Sequence, residues 1–198
     1  METWFGRAAR QLRFANRELE IVVGSLLGDA TLQKTSSGYC FRVHHGIHQR
    51  SLVDWKYNEL KRFVRTPPRE SAGGYYFRTV THPELSRLRF LFYPHERKTV
   101  PIEILARYMS ALSLAVWIMD DGAADGRQVR LNTQCFSSDE ARQLVVLCES
   151  KFGIAMTINR DKGRPRLRCS AASMRRVVAL VTPHMIPEME YKLSRPLV

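Results

Sequence analysis

Two carboxylates close an apolar run in Leu114-Ala115-Val116-Trp117-Ile118-Met119-Asp120-Asp121-Gly122, a stretch with helical character that stops abruptly. A helix C-terminus carries partial negative charge from its unpaired carbonyls, so acids there sit at the wrong end of the dipole and call for positive charge nearby. A weaker copy lies upstream in Val22-Val23-Gly24-Ser25-Leu26-Leu27-Gly28-Asp29-Ala30, again an apolar run closing on an aspartate and a small residue. If the two ends meet, Asp29 and Asp121 lie side by side, where like charges repel unless a cation bridges them. The pair is therefore a candidate divalent-metal site.

Both runs must be helices for this to work, and they must pack closely. Asn16 is a plausible N-cap for the first, with Glu18 in its favourable first turn. Gly24 and Gly28 stand four apart on one helix face and let another helix approach. Ahead of it, Met1 to Asn16 read as a lead-in with Trp4, Phe5, Leu12 and Phe14 to bury. Arg7, Arg10, Arg13 and Arg17 resemble an amphipathic transit segment, but Glu2, Glu18 and Glu20 flank them, and a DNA-facing arm fits as well.

After the first run, Thr31 to Val43 reads as two strands turning at Ser36-Ser37-Gly38. A helix follows from Gln49 to Val64, broken by Thr66-Pro67-Pro68; a strand spans Tyr75 to Thr81, and a short helix Pro83 to Phe92. The second half repeats this order: a strand around Val129 to Cys135, a helix from Ser137 to Phe152, strands at Ile154 to Asn159 and Arg164 to Ser170, and a helix from Ala171 to Val181. Leu85-x-Arg87-Leu88-x-x-Leu91-x-x-Pro94-His95 matches Met174-x-Arg176-Val177-x-x-Leu180-x-x-Pro183-His184, and from 95 to 184 the offset is 89. From Asp29 to Asp121 it is 92, so the chain reads as an internal duplication with small insertions.

The two runs resemble the paired LAGLIDADG motifs of homing endonucleases. The second copy matches at Leu114, Ala115, Ile118, Asp121 and Gly122; the first matches at Gly24, Leu26 and Asp29, with Ala30 where the pattern has glycine. The resemblance spans the chain from about Arg17 onward. It implies a mixed α/β (α+β) fold, two pseudo-symmetric αββαββα repeats with the motif helices paired at the centre and two antiparallel sheets forming a DNA-binding saddle. On this reading residues 1–16 are the lead-in, 17–107 the first repeat and 108–198 the second, in a monomer.

The resemblance also implies the chemistry: a double-strand break in a long asymmetric DNA site, leaving short 3′ overhangs. The carboxylates of Asp29 and Asp121 with the backbone carbonyls of Gly28 and Asp120 would hold two or three divalent ions, Mg2+ being expected, about 4 Å apart. Homing endonucleases place polar or basic groups around these ions. By position Lys98 and Lys192 are candidates to stabilise phosphate charge, and His45, Gln49 and Gln134 to order water. The side chain of Asp120 is expected to point away from Asp121 if the helix persists that far.

Composition agrees with a polyanionic partner: 31 Lys plus Arg against 19 Asp plus Glu give a net charge of +12. In the strand after the second motif, Gln128, Arg130, Asn132 and Gln134 alternate onto one face, types that hydrogen-bond base edges in the major groove. Arg160, Lys162, Arg164, Arg166 and Arg168 are spaced by two across a turn and suit phosphates or guanines. The first half offers the thinner set Lys34, Arg42, His44 and Arg78, so the two half-sites should differ. His44 and His48 stand four apart and invite a zinc reading, but without helix context or a third ligand at sensible spacing His44, His45 and His48 read as a nucleic-acid contact cluster.

Four cysteines, Cys40, Cys135, Cys148 and Cys169, have no Cys-x-x-Cys spacing and read as reduced thiols of an intracellular protein. With the resemblance, the expected location is an organelle (mitochondrion or chloroplast) or a prokaryotic cytoplasm. No apolar run approaches the roughly 20 residues of a membrane span. Double-stranded DNA is the expected partner; intron RNA, bound by a maturase on the same scaffold, is the alternative, and a catalytically silent DNA-binding regulator the third reading.

Overall fold

The computed structural model describes residues 3–71 and 73–193. Helix α1 (Trp4–Gln11) precedes a first half built from α2 (Asn16–Leu27), β1 (Thr31–Thr35), β2 (Gly38–Gly46), α3 (Arg50–Leu60), β3 (Arg69–Ser71), β4 (Gly74–Arg78) and α4 (Pro83–Phe92). A short helix α5 (Ile102–Tyr108) leads to the second half: α6 (Ala111–Asp121), β5 (Gly122–Asp125), β6 (Gln128–Leu131), α7 (Ser138–Phe152), β7 (Met156–Asp161), β8 (Arg164–Cys169) and α8 (Met174–Val181). The two antiparallel sheets have the same order, β1-β2-β4-β3 and β5-β6-β8-β7.

At the centre, α2 packs along α6. Leu112 to Asp120 are all buried, which is why this helix is apolar around its whole circumference instead of along one stripe. The approach depends on two glycines. A Cβ on Gly24 would stand 2.4 Å from the Ser113 carbonyl oxygen, and one on Gly28 would stand 2.5 Å from Asp120 Cβ. Both distances are below van der Waals contact, so only glycine allows this spacing.

Several local expectations need correction. The N-cap of α2 is Ala15, not Asn16; Glu18 Oε2 accepts the Ala15 amide at 2.6 Å and closes the first turn. Trp4 is 76% exposed and Leu12 39%, because α1 lies on the surface; of the lead-in aromatics, Phe14 stacks on Phe63 with centroids 3.9 Å apart. Strands β3 and β5 have no signal in the sequence. The first is the polar edge Arg69-Glu70-Ser71, and the second is Gly122-Ala123-Ala124-Asp125, held in register by pairing with β6 rather than by its own propensity. Strand β6 stops at Leu131, so Asn132 and Gln134 lie beyond it.

Alanine in a helix interior normally stabilises relative to glycine by about 1 kcal/mol. Gly24→Ala should do the opposite and cost about 1–3 kcal/mol, because the new methyl meets backbone. A thermal melt reads this directly; an unchanged or raised Tm would show that α2 and α6 are not packed this tightly.

Candidate active site and nucleic-acid interface

The close approach brings the ends of α2 and α6 together. Asp29 lies one residue past the C-cap Gly28 of α2, its side chain 46% exposed, while Asp121 is the last residue of α6 and half-buried. Burial raises the Asp121 carboxyl first, the Asp29 and Asp120 carboxylates raise it further, and Lys98 and Lys192 pull it back, leaving it pushed up to about 7. That is the electrostatic signature of converging acids. Gly122 turns to extended backbone and carries the chain straight into β5.

The positive charge demanded by these helix ends comes from lysines. Lys98 Nζ donates to the Gly28 carbonyl at 2.5 Å, and Lys192 Nζ donates to the carbonyls of Met119 at 2.5 Å and Asp120 at 2.6 Å. Each ammonium caps the C-terminal carbonyls of one central helix, where cations are favoured. Burial lowers both lysines below the usual range, against the opposing pull of the surrounding aspartates, and Cys135 adds to that pull on Lys98. Asp29, Asp121, Lys98, Lys192 and the carbonyls of Gly28 and Asp120 thus share one locus.

The Asp120 side chain does point away from that locus, into the protein. Lys56 Nζ donates to both its oxygens, at 2.6 and 2.8 Å, with both side chains fully buried. Burial alone would raise Asp120, but Lys56 and His45 outweigh it and hold the carboxyl below the ordinary range. His45 Nε2 lies 3.4 Å from Asp120 Oδ1 without the alignment of a hydrogen bond, while its Nδ1 is 3.2 Å from Gln49 Oε1 and 3.6 Å from Asp29 Oδ2. His45 and Gln49 therefore join the locus on the Asp29 side. Lys56 is a residue the sequence reading missed; its signal was its place in the buried spacing Leu52, Val53, Lys56, Leu60, where a lysine has no water to reach.

Gln134 does not join. Its Nε2 donates to Asp161 Oδ2 at 3.1 Å, because the chain past Leu131 turns toward the end of β7. The amide of Asn132 donates to the Asp121 carbonyl at 3.2 Å, which carries the β5–β6 register one residue past Leu131 and keeps Asn132 on the alternation of Gln128 and Arg130. The three histidines do not gather: His44 is exposed and His45 buried on opposite faces of β2. Among the described residues no group of three His, Cys, Asp or Glu side chains is placed to hold a metal ion. A metal here would rely on two carboxylates and backbone carbonyls.

Outward faces of the sheets are basic. In the first, register pairs Arg42 with Arg78 and His44 with Tyr76, and Arg69 sits opposite Tyr76. Lys34 is on the other alternation set, opposite Tyr39, yet it lines a cleft of about 880 Å³ together with Arg10, Arg65, Arg69 and Arg78. In the second sheet Arg130, Arg164, Arg166 and Arg168 share a face with Gln128, whose Nε2 donates to the Cys169 carbonyl at 2.8 Å. Arg168 Nε is 3.2 Å from Asp125, and Arg166 is paired with Asp161, so these guanidiniums are held in place by acids on the same face. Arg160 is a correction: it opposes Pro165 and takes the opposite face, since the turn at Lys162 and Gly163 shifts the parity. Lys162 itself occupies that turn, at φ 49°.

Lys56→Met leaves the Asp120 carboxylate buried and uncompensated, and should cost about 3–5 kcal/mol; Lys56→Met with Asp120→Leu removes both charges and should recover most of it. Denaturant midpoints decide. A single variant as stable as the double would mean that the pair is not a buried ion pair.

The family model for the LAGLIDADG DNA endonuclease family matches residues 19–177. The chain is 31% identical over 161 residues to the intron-encoded endonuclease ai4 of Dictyostelium discoideum, covering 80% of this chain and 94% of that protein. It is 29% identical over 197 residues to the cytochrome b mRNA maturase bI2 of Debaryomyces hansenii, covering 89% and 73%. The solved structure of the homing endonuclease I-WcaI bound to its DNA recognition sequence superposes with a TM-score of 0.86 at 22% identity, over 96% of this chain and 92% of the other, and shares its fold. A match over most of the chain, on a fold with two motif helices between two sheets, establishes that this chain belongs to the LAGLIDADG DNA endonuclease family.

Proposed function

We propose that this protein is a site-specific homing endonuclease that makes a double-strand break in a long asymmetric DNA site by divalent-metal-dependent hydrolysis, leaving short 3′ overhangs. The observation that carries the reading is the meeting of Asp29 and Asp121 between two basic sheets, with Asp121 raised to about 7 beside its neighbours. The donors there, carboxylates and backbone carbonyls, are hard oxygens of the kind Mg2+ prefers. Bound by Asp29, Asp121 and the carbonyls of Gly28 and Asp120, such ions would supply charge neutralisation and an activated water.

The chain's own groups do the rest. The ammoniums of Lys98 and Lys192 stand over the helix ends and offer charge to a phosphate there. His45, steadied by Gln49, orders solvent on the Asp29 side. Residues 17–107 and 108–198 each read one half-site, the first through Arg42, His44, Arg78 and the cleft lined by Lys34, the second through Gln128, Arg130, Arg164, Arg166 and Arg168. Their unlike side chains make the target asymmetric, which suits a monomer. Such an enzyme works where its host genome is, in an organelle or a prokaryotic cytoplasm.

The second reading, an intron RNA maturase, is favoured by one observation, the 29% identity to a cytochrome b mRNA maturase. Phosphate contacts alone bind either polymer. Purified protein incubated with a randomised duplex library should give discrete breaks in Mg2+ and bound, uncut DNA in Ca2+. Asp29→Asn and Asp121→Asn should each lower cutting by more than about a hundredfold while binding in Ca2+ persists. Specific retention without any break in wild type, with tighter binding to intron RNA at matched salt, would replace the nuclease by the maturase.

A further inference from the structure

The buried cluster under the site exists on one side only. Register aligns the halves residue by residue: Arg42 pairs with Arg78 and Val43 with Phe77 in the first sheet, as Arg130 pairs with Arg168 and Leu131 with Leu167 in the second. Continuing along the strands, His45 corresponds to Thr133. The buried positions Leu52, Val53, Lys56 and Leu60 of α3 recur in α7 as Glu140, Ala141, Leu144 and Cys148, so Lys56 corresponds to Leu144. Aligning Asp29 with Asp121 matches Gly28 to Asp120. The trio Lys56, Asp120, His45 is therefore replaced across the pseudo-dyad by Leu144, Gly28, Thr133. Thr133 Oγ1 donates to the Pro165 carbonyl at 3.0 Å and is committed to its own sheet.

Leu144 shows that the scaffold packs this position with an apolar side chain, and buried ion pairs are commonly no more stable than such a replacement. The charges at Lys56 and Asp120 need another reason. Lys56 grips both oxygens of Asp120 and fixes its rotamer; Asp120 then faces one nitrogen of the His45 ring, and the other faces Gln49 and Asp29. We propose that Lys56, acting through Asp120, is a positioning residue that sets the His45 ring against Asp29, and that this one-sided support makes the two strand cuts unequal. In each cut a water oxygen bonds to phosphorus, the bond to the 3′ oxygen breaks, and a water proton ends on that oxygen. The strand served by Asp29 is cut first and a nicked duplex accumulates.

The inference rests on the nuclease reading, and its test separates the two. Wild type and the charge-free variant Lys56→Met with Asp120→Leu are compared on the duplex recovered by cleavage selection, supplied in two pre-nicked forms that each leave one strand to cut. The expected result is a loss of about 10- to 100-fold on the strand that wild type cuts faster, at least tenfold larger than any loss on the other strand. Equal slowing of both strands, or of neither, overturns the proposal. Without DNA, the 15N signals of the His45 imidazole should report one fixed tautomer in wild type and averaging in the variant; identical spectra also overturn it. A wild type that cuts neither duplex sinks the nuclease reading and the strand inequality together, and the imidazole spectra distinguish that result from failure of the positioning role.

Discussion

Two hydrogen atoms, where any other residue would carry a Cβ, decide the architecture. At Gly24 and Gly28 helix α2 comes so close to α6 that an added carbon would stand 2.4 Å from one backbone oxygen and 2.5 Å from Asp120 Cβ. Everything functional hangs on that approach. It puts the C-terminal ends of the two helices side by side, and with them Asp29 and Asp121. Interiors are close-packed and respond poorly to an extra methylene, so the contact is a rigid reference for the site.

Concentrating helix C-termini and acids in one place is electrostatically unfavourable, and three lysines balance it. Lys98 and Lys192 take the carbonyls of the two helix ends, and Lys56 neutralises Asp120 from beneath. Burial lowers the first two, and the surrounding aspartates pull against that shift. The compensation is close for Asp120, which stays below the ordinary range, and incomplete for Asp121, which rises to about 7. A residual negative field of this kind favours a cation.

Much of this was legible in the sequence because it rests on short-range rules. The two apolar runs, the small residues in the first and the need for positive charge at their ends are local patterns, and the bounds Pro83–Phe92 of α4 follow from a proline at its start. What was hidden depends on tertiary partners. Strand β5 is a Gly-Ala-Ala-Asp segment that becomes a strand only by pairing, and β6 is shorter than its alternation suggested because the chain turns at Gln134-Cys135. One residue of parity at the Lys162–Gly163 turn moved Arg160 off the basic face. Lys56 was the largest omission: a lysine among apolar residues reads as the polar edge of a surface helix until the facing aspartate is known.

The most direct test of the account is a crystal structure of the protein on its selected duplex with Mn2+, using anomalous scattering to locate the ions. The account predicts a metal touching both Asp29 and Asp121 at the α2–α6 junction, with Lys98 and Lys192 beside it. Ions held by one aspartate alone, or away from the α2–α6 junction, would contradict it.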